Sequence, residues 1–132
     1  MPLKPKVFVS REIPAVGLAL IQEACDADIW RDPLPPPGEV LAQKIAHAEG
    51  LVSLLTDRLD AAVLDKAPRL KVISNFAVGF NNIDVAACTA RGIAVGNTPR
   101  VLTDATADMA FCLLIAAARR VVEGHHYTVS GK

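Results

Sequence analysis

The chain lacks the features that mark several protein classes. It has no excess of charge: fourteen Lys and Arg residues balance fourteen Asp and Glu. No basic stripe runs along it, which argues against nucleic acid as a partner. Cysteine is scarce. Cys25, Cys88 and Cys112 are odd in number and widely spaced, a pattern of reduced thiols rather than a disulfide framework. All three fall in stretches expected to be helical and mostly buried. No secretory leader is expected, because Met1-Pro2-Leu3-Lys4-Pro5-Lys6 leads straight into a short strand pattern. The longest apolar run, 109–118, is about half of what a bilayer needs. Neither G-x-G-x-x-G nor G-x-x-x-x-G-K-[ST] occurs, so no phosphate-binding fingerprint of the dinucleotide or P-loop type is present. No Cys–His pair has metal-ligand spacing, and the adjacent His125 and His126 point different ways on a helix, so no metal site is expected. These absences point to a cytoplasmic protein with no membrane partner.

What is present is a foldable composition, 52% hydrophobic and 21% charged over 132 residues. That predicts one globular domain burying roughly two thirds of its unfolded surface. Short β-branched runs alternate with amphipathic stretches. Strands are expected at 6–10, 27–30, 51–55, 71–74 and 93–95. Helices are expected at 14–25, 39–47, 60–66, 85–91 and 102–123. Asp60 and Asp84 stand where a side chain caps a helix, Gly92 where one ends, and Thr103 or Asp104 near the start of the last. Pro33, Pro35, Pro36 and Pro37 stiffen one loop. The alternation implies βαβ units and a parallel sheet. The expected class is α/β, a flavodoxin-like five-stranded sheet of order 2-1-3-4-5 with helices on both faces and a long apolar C-terminal helix. In that arrangement ligands bind beyond the carboxyl ends of strands, here Ser10-Arg11, Leu55-Thr56, 75–79 and Asn97-Thr98.

The most informative run is 75–84 (NFAVGFNNID). It leaves a strand, carries almost no charge and contains Gly79, where a missing Cβ permits a close ligand or a positive φ. Consecutive N–H groups in such a turn can form a nest for a carboxylate. The same pattern also suits an ordinary strand-to-helix loop. Thr103-Asp104-Ala105-Thr106 opens a helix and offers hydroxyls and free N–H groups to an anion, or simply N-caps it. Asn97-Thr98-Pro99 resembles a turn that breaks the fifth strand. Between 105 and 118 only Asp108 is charged, so both faces of that helix call for cover. One sheet covers one face; a second domain or subunit would cover the other. Asp57 follows the third strand, as a phosphoacceptor aspartate would, but no acidic pair follows the first strand and no lysine the fifth.

The residues 51–60 (LVSLLTDRLD), Ala67-Pro68-Arg69-Leu70-Lys71-Val72-Ile73, 75–84, Arg91-Gly92-Ile93-Ala94-Val95, Asn97-Thr98-Pro99 and 101–107 (VLTDATA) together resemble the D-isomer-specific 2-hydroxyacid dehydrogenases, in particular their glyoxylate and hydroxypyruvate reductase branch. The resemblance runs from about Val7 to Lys132. It implies a substrate domain over 1–101 and an interdomain helix and tail over 102–132, with the Rossmann cofactor domain absent from the chain. It implies that Val78 and Gly79 bind the substrate carboxylate through their amides, that Leu55 lines the pocket and that Thr106 approaches the cofactor. The partner implied is a small 2-oxo or 2-hydroxy acid. NAD or NADP would serve the complete enzyme, with none bound to this chain alone. The family's catalytic arginine, glutamate and histidine match no position here, so the isolated chain is expected to be inactive. A homodimer through 102–123 is expected, and the alternative to an enzyme portion is a non-enzymatic, self-associating truncated domain. Two departures stand out: Asn81 where relatives often have aspartate, and Arg100 where they often have glycine.

Overall fold

The computed structural model describes residues 3–132. The chain divides into two compact units, Met1–Pro99 and Arg100–Lys132.

The first unit runs β1 (Lys6–Val9), α1 (Ala15–Ala24), β2 (Asp26–Ile29), α2 (Gly38–Ile45), β3 (Gly50–Ser53), α3 (Ala61–Leu64), β4 (Val72–Asn75), α4 (Val85–Ala90) and β5 (Ala94–Gly96). The five strands form one sheet in the order β2-β1-β3-β4-β5, with every neighbouring pair parallel. This is the expected α/β arrangement, with element ends displaced by at most two residues. Register follows from alternation, since successive side chains point to opposite faces. Phe8, Leu51, Ile73 and Val95 stand in one cross-strand row. Onto that row α2 brings Leu41 and Ile45, α3 brings Leu64 and α4 brings Cys88, closing one apolar cluster. Each large side chain buried there contributes about 1.5–3 kcal/mol. Val9, one residue along β1, points to the other face and is buried there, as is Leu18 of α1 at its own position.

Local signals set where the short helices begin and end. Asp60 accepts from Val63 N–H at 3.1 Å and Asp84 from Ala87 N–H at 2.8 Å, each filling one of the donors a helix leaves free at its start. Gly92 adopts φ +69, the left-handed residue that lets Ile93 N–H return to Cys88 O at 2.9 Å and closes α4.

The second unit corrects the expectation of one helix over 102–123. It holds two helices, α5 (Thr103–Ala118) and α6 (Val121–Val129). Arg120 takes φ 53, which closes α5 and opens α6; an arginine in that conformation leaves no mark in a pattern of apolar spacing. Nor do Thr103 or Asp104 cap α5: its N-cap is Leu102, with no side-chain cap bond. No residue of α5 or α6 is buried. Among the described residues no helix is long and apolar enough to cross a membrane. Arg100 also lies in the left-handed region, at φ 66, where glycine would sit without strain.

The cysteines depart from expectation as well. Cys88 is buried, but Cys25 is half-buried one residue past α1, and Cys112 is exposed on α5. An apolar neighbourhood in sequence does not by itself bury a side chain, because burial depends on which elements pack against it. Burial, and then the Asp84 carboxylate, push the Cys88 thiol above its ordinary pKa, so it behaves as a packing group.

At the amino ends of the strands Glu49 ties the ladder together. Its N–H donates to Lys6 O at 2.7 Å and its carbonyl accepts from Lys71 N–H at 2.8 Å. Its carboxylate receives Lys71 Nζ at 2.6 Å, with Arg69 Nη2 at 3.8 Å. The hydrogen bond and charge of Lys71 hold the Glu49 carboxyl below the usual glutamate range. A depressed carboxyl pKa contributes stability that is present above the unfolded value and lost as pH falls through the folded one. Thermal unfolding of Glu49→Gln is therefore expected to show a lower Tm than the unsubstituted chain at neutral pH, with the gap closing below the ordinary glutamate pKa and narrowing in high salt.

Candidate functional site

All four loops at the carboxyl ends of β1, β3, β4 and β5 carry small polar residues, and these converge. Ser10, Ser53, Asp57 and Asn75 are the buried polar residues among those described, each 3% exposed or less. Such groups are stable out of water only when hydrogen-bonded. Asp57 accepts from Ser10 Oγ and, at 2.8 Å, from Leu54 N–H. This aspartate is enclosed and satisfied, not offered for phosphorylation. Asn75 Oδ1 accepts from Ser53 Oγ at 2.9 Å, while its Nδ2 donates to Gly79 O at 2.9 Å and Asn82 Oδ1 at 3.2 Å. Asn82 Nδ2 in turn donates to Leu54 O at 3.1 Å and Asp57 O at 2.9 Å. One buried network thus joins β3, β4 and the loop that follows β4.

That loop has a regular polarity. Ala77 O accepts from Thr98 N–H at 2.9 Å, Val78 O from Asn97 Nδ2 at 2.8 Å and Gly79 O from Asn75 Nδ2 at 2.9 Å. Three successive carbonyls are held by the protein. The N–H groups of Val78, Gly79 and Phe80 find no acceptor among the described residues. They are left for water or for an anion.

Of the four residues the sequence singles out, the structure brings three together. Leu55, Val78 and Gly79 lie in the first unit, and a Cβ added at Gly79 would stand 3.8 Å from Leu55 Cδ2 and 3.4 Å from Asn81 Oδ1. Gly79 does not adopt a positive φ; what it offers is the open approach its missing Cβ leaves. Leu55, Phe76, Val78 and Phe80 are 41–53% exposed, an apolar rim around the free amides. Thr106 belongs to the second unit, in the first turn of α5, with its N–H donating to Leu102 O at 2.9 Å. Arg11, beyond β1, has an enclosed Nε without a partner among the described residues.

The chemistry available is that of binding. The run 75–84 contains no His, Lys or Arg, and its one charged residue, Asp84, is engaged as a helix cap. The loop can receive a carboxylate through N–H groups, but supplies no proton donor or acceptor near it. Among the described residues no three His, Cys, Asp or Glu side chains group to hold a metal ion. The hydrogen-bonding roles of Asn75, Asn82, Ser53 and Asn97 are not foreseen from spacing. The only available signal is that Asn75 stands two residues after the apolar Ile73, at a position where alternation points inward.

The buried carboxamide predicts a measurable penalty. Asn75→Ala leaves Ser53 Oγ and Gly79 O without partners, and each such group costs about 1–3 kcal/mol. A loss of about 2–4 kcal/mol in unfolding free energy is expected from urea titration, with the slope unchanged.

Comparison with known proteins bears on the family and the fold. The family model described as "D-isomer specific 2-hydroxyacid dehydrogenase, catalytic domain" matches residues 7–129. A glyoxylate reductase of Korarchaeum cryptofilum is 52% identical over 130 residues, covering 98% of this chain and 39% of that protein. One from Pyrococcus horikoshii is 47% identical with the same coverage. Among solved structures, a Thermus thermophilus protein superposes with TM-score 0.85 at 42% identity, covering 96% of this chain and 40% of the other. D-lactate dehydrogenase from Aquifex aeolicus, complexed with NAD and lactic acid, superposes with TM-score 0.63 at 29% identity, covering 84% and 33%. The chain spans about two fifths of the length of the curated relatives it matches.

Proposed function

The chain belongs to the D-isomer specific 2-hydroxyacid dehydrogenase family, and from that footing we propose that it is the substrate-binding portion of an NAD(P)-dependent enzyme of the glyoxylate and hydroxypyruvate reductase type. The observation that carries this reading is the row of free N–H groups at Val78 and Gly79, opened by the missing Cβ and rimmed by Leu55. They receive the carboxylate of a small 2-oxo or 2-hydroxy acid, and Leu55 packs against the rest of it. Residues 1–101 serve as the substrate domain and 102–132 as the connecting helix and tail, in a cytoplasmic enzyme. In the complete protein a nicotinamide cofactor supplies the hydride.

This chain's own residues do not make a dinucleotide cradle. Thr106 offers one exposed hydroxyl at the start of α5, beside the acidic Asp104, and no glycine-rich phosphate loop occurs in the sequence. What the chain does is bind and orient the acid. The family's proton donor and arginine clamp have no counterpart here, so the 132 residues alone are inactive.

Charge-assisted hydrogen bonds contribute about 1.5–3 kcal/mol each, so two amides without an arginine clamp hold a carboxylate in the millimolar range. Titration of the 15N-labelled chain with glyoxylate is expected to move the Val78 and Gly79 resonances with a Kd of about 1 mM or weaker. NADPH oxidation in the presence of glyoxylate should stay at the buffer rate. Turnover by the isolated chain, or shifts confined to other loops, would refute the reading.

A second reading is favoured by one observation. On α5, Met109, Phe111, Leu113 and Leu114 are each 60–64% exposed, more apolar surface than a helix usually leaves to water. This suits a self-associating domain that pairs α5 with α5 of another copy, with or without a role in catalysis. Sedimentation equilibrium is expected to show a concentration-dependent dimer that Leu113→Glu weakens; a monomer at high micromolar concentration would rule this out.

A further inference from the structure

We propose that Asn97 and Thr98 are positioning residues for the carboxylate nest, setting from behind the direction in which the Gly79 and Val78 N–H groups point. The inference rests on the carboxylate reading of those two amides.

The argument is one of peptide geometry. In a trans peptide the carbonyl of one residue and the N–H of the next lie in one plane and point opposite ways. Whatever holds the carbonyl therefore aims the N–H. Asn97 Nδ2 donates to Val78 O at 2.8 Å, which turns the Gly79 N–H away from Asn97. Thr98 N–H donates to Ala77 O at 2.9 Å and does the same for the Val78 N–H. The third member of the row, Phe80 N–H, is set by Asn75 through Gly79 O. Two of the three holders thus come from Asn97-Thr98-Pro99, the turn after β5.

The residue types suit that task. Asn97 presents a neutral donor on a short side chain, so it grips a carbonyl without adding charge beside the nest. An aspartate of the same size would set an acceptor against the Val78 carbonyl and a negative charge near the anion. Pro99 keeps Thr98 out of the helical region, so the Thr98 N–H stays directed sideways at the loop instead of winding into a helical turn. Unlike Asn75, Asn97 is only half-buried and bonds to nothing in the core network. Its removal should leave the fold in place.

A tie that merely fastens the loop to β5 would affect stability and not anion affinity. The test is a 15N NMR titration of the 132-residue chain with acetate and glyoxylate, with acetamide as the uncharged shape control. In the unsubstituted chain both carboxylates shift Val78 and Gly79 and acetamide does not. Asn97→Ala is expected to weaken carboxylate binding about five- to tenfold, the worth of one neutral hydrogen bond. It should also lower the backbone order parameters of Val78 and Gly79 while the β1 and β3 resonances stay in place. Asn97→Asp, of the same size, should lose at least as much, and it carries the comparison if Asn97→Ala loses the fold. Carboxylate affinity unchanged within about twofold in both variants overturns this inference alone, even if the loop loosens. No carboxylate response at Val78 or Gly79 in the unsubstituted chain overturns the reading of the site, and this inference with it.

Discussion

The buried carboxamide of Asn75 is the interaction on which the functional end of the sheet depends. It lies at the end of β4, 1% exposed, and its hydrogen bonds reach β3, the Gly79 carbonyl and Asn82 at once. A polar side chain so enclosed is tolerable only when both ends are satisfied. That requirement works in reverse on the surroundings: Ser53, Gly79 and Asn82 must take up positions that satisfy it. The loop after β4 is thereby held by its carbonyls, and its N–H groups are what remains for solvent or ligand. A helix or ladder would have consumed those donors. The loop leaves them free because each peptide is held by its carbonyl, which turns its N–H the opposite way, where no acceptor of the described residues meets it.

This arrangement separates binding from chemistry. The loop is neutral, apolar at its rim and rich in donors, which suits the fixed end of a small acid. It contains nothing that moves a proton. Under the proposed function such a surface serves as one wall of a cleft. The exposed apolar residues of α5 carry the same message at the level of packing, since a helix that is hydrophobic around its circumference is stable in water only when covered.

Much of the fold was legible because it rests on local and periodic signals. Runs such as Lys6–Val9 and Val72–Asn75 announce strands by β-branched residues, and their alternation with helices leaves few topologies open. Asp60, Asp84 and Gly92 mark helix ends by chemistry that acts over three or four residues. The signals failed where conformation was decided without a special residue type. Arg120 enters the left-handed region with no glycine to show it, so two helices looked like one. Cys112 sits in an apolar run as Cys88 does, yet Cys88 is buried in the core cluster and Cys112 is exposed.

The sequence by itself determined the order of strands and helices in the first unit, the near-absence of charge in the loop at 75–84 and the family to which its motifs are similar, because these depend on residue identity and on spacing along the chain. Only the tertiary structure decided which atoms of that loop are free. Asn97 and Thr98 reach Val78 and Ala77 across some twenty residues, and Ser10 reaches Asp57 across 47. Contacts at such separations exist only once β1, β3, β4 and β5 lie side by side. The direction of a peptide N–H is therefore a property of the assembled sheet, although every residue that sets it was present in the sequence.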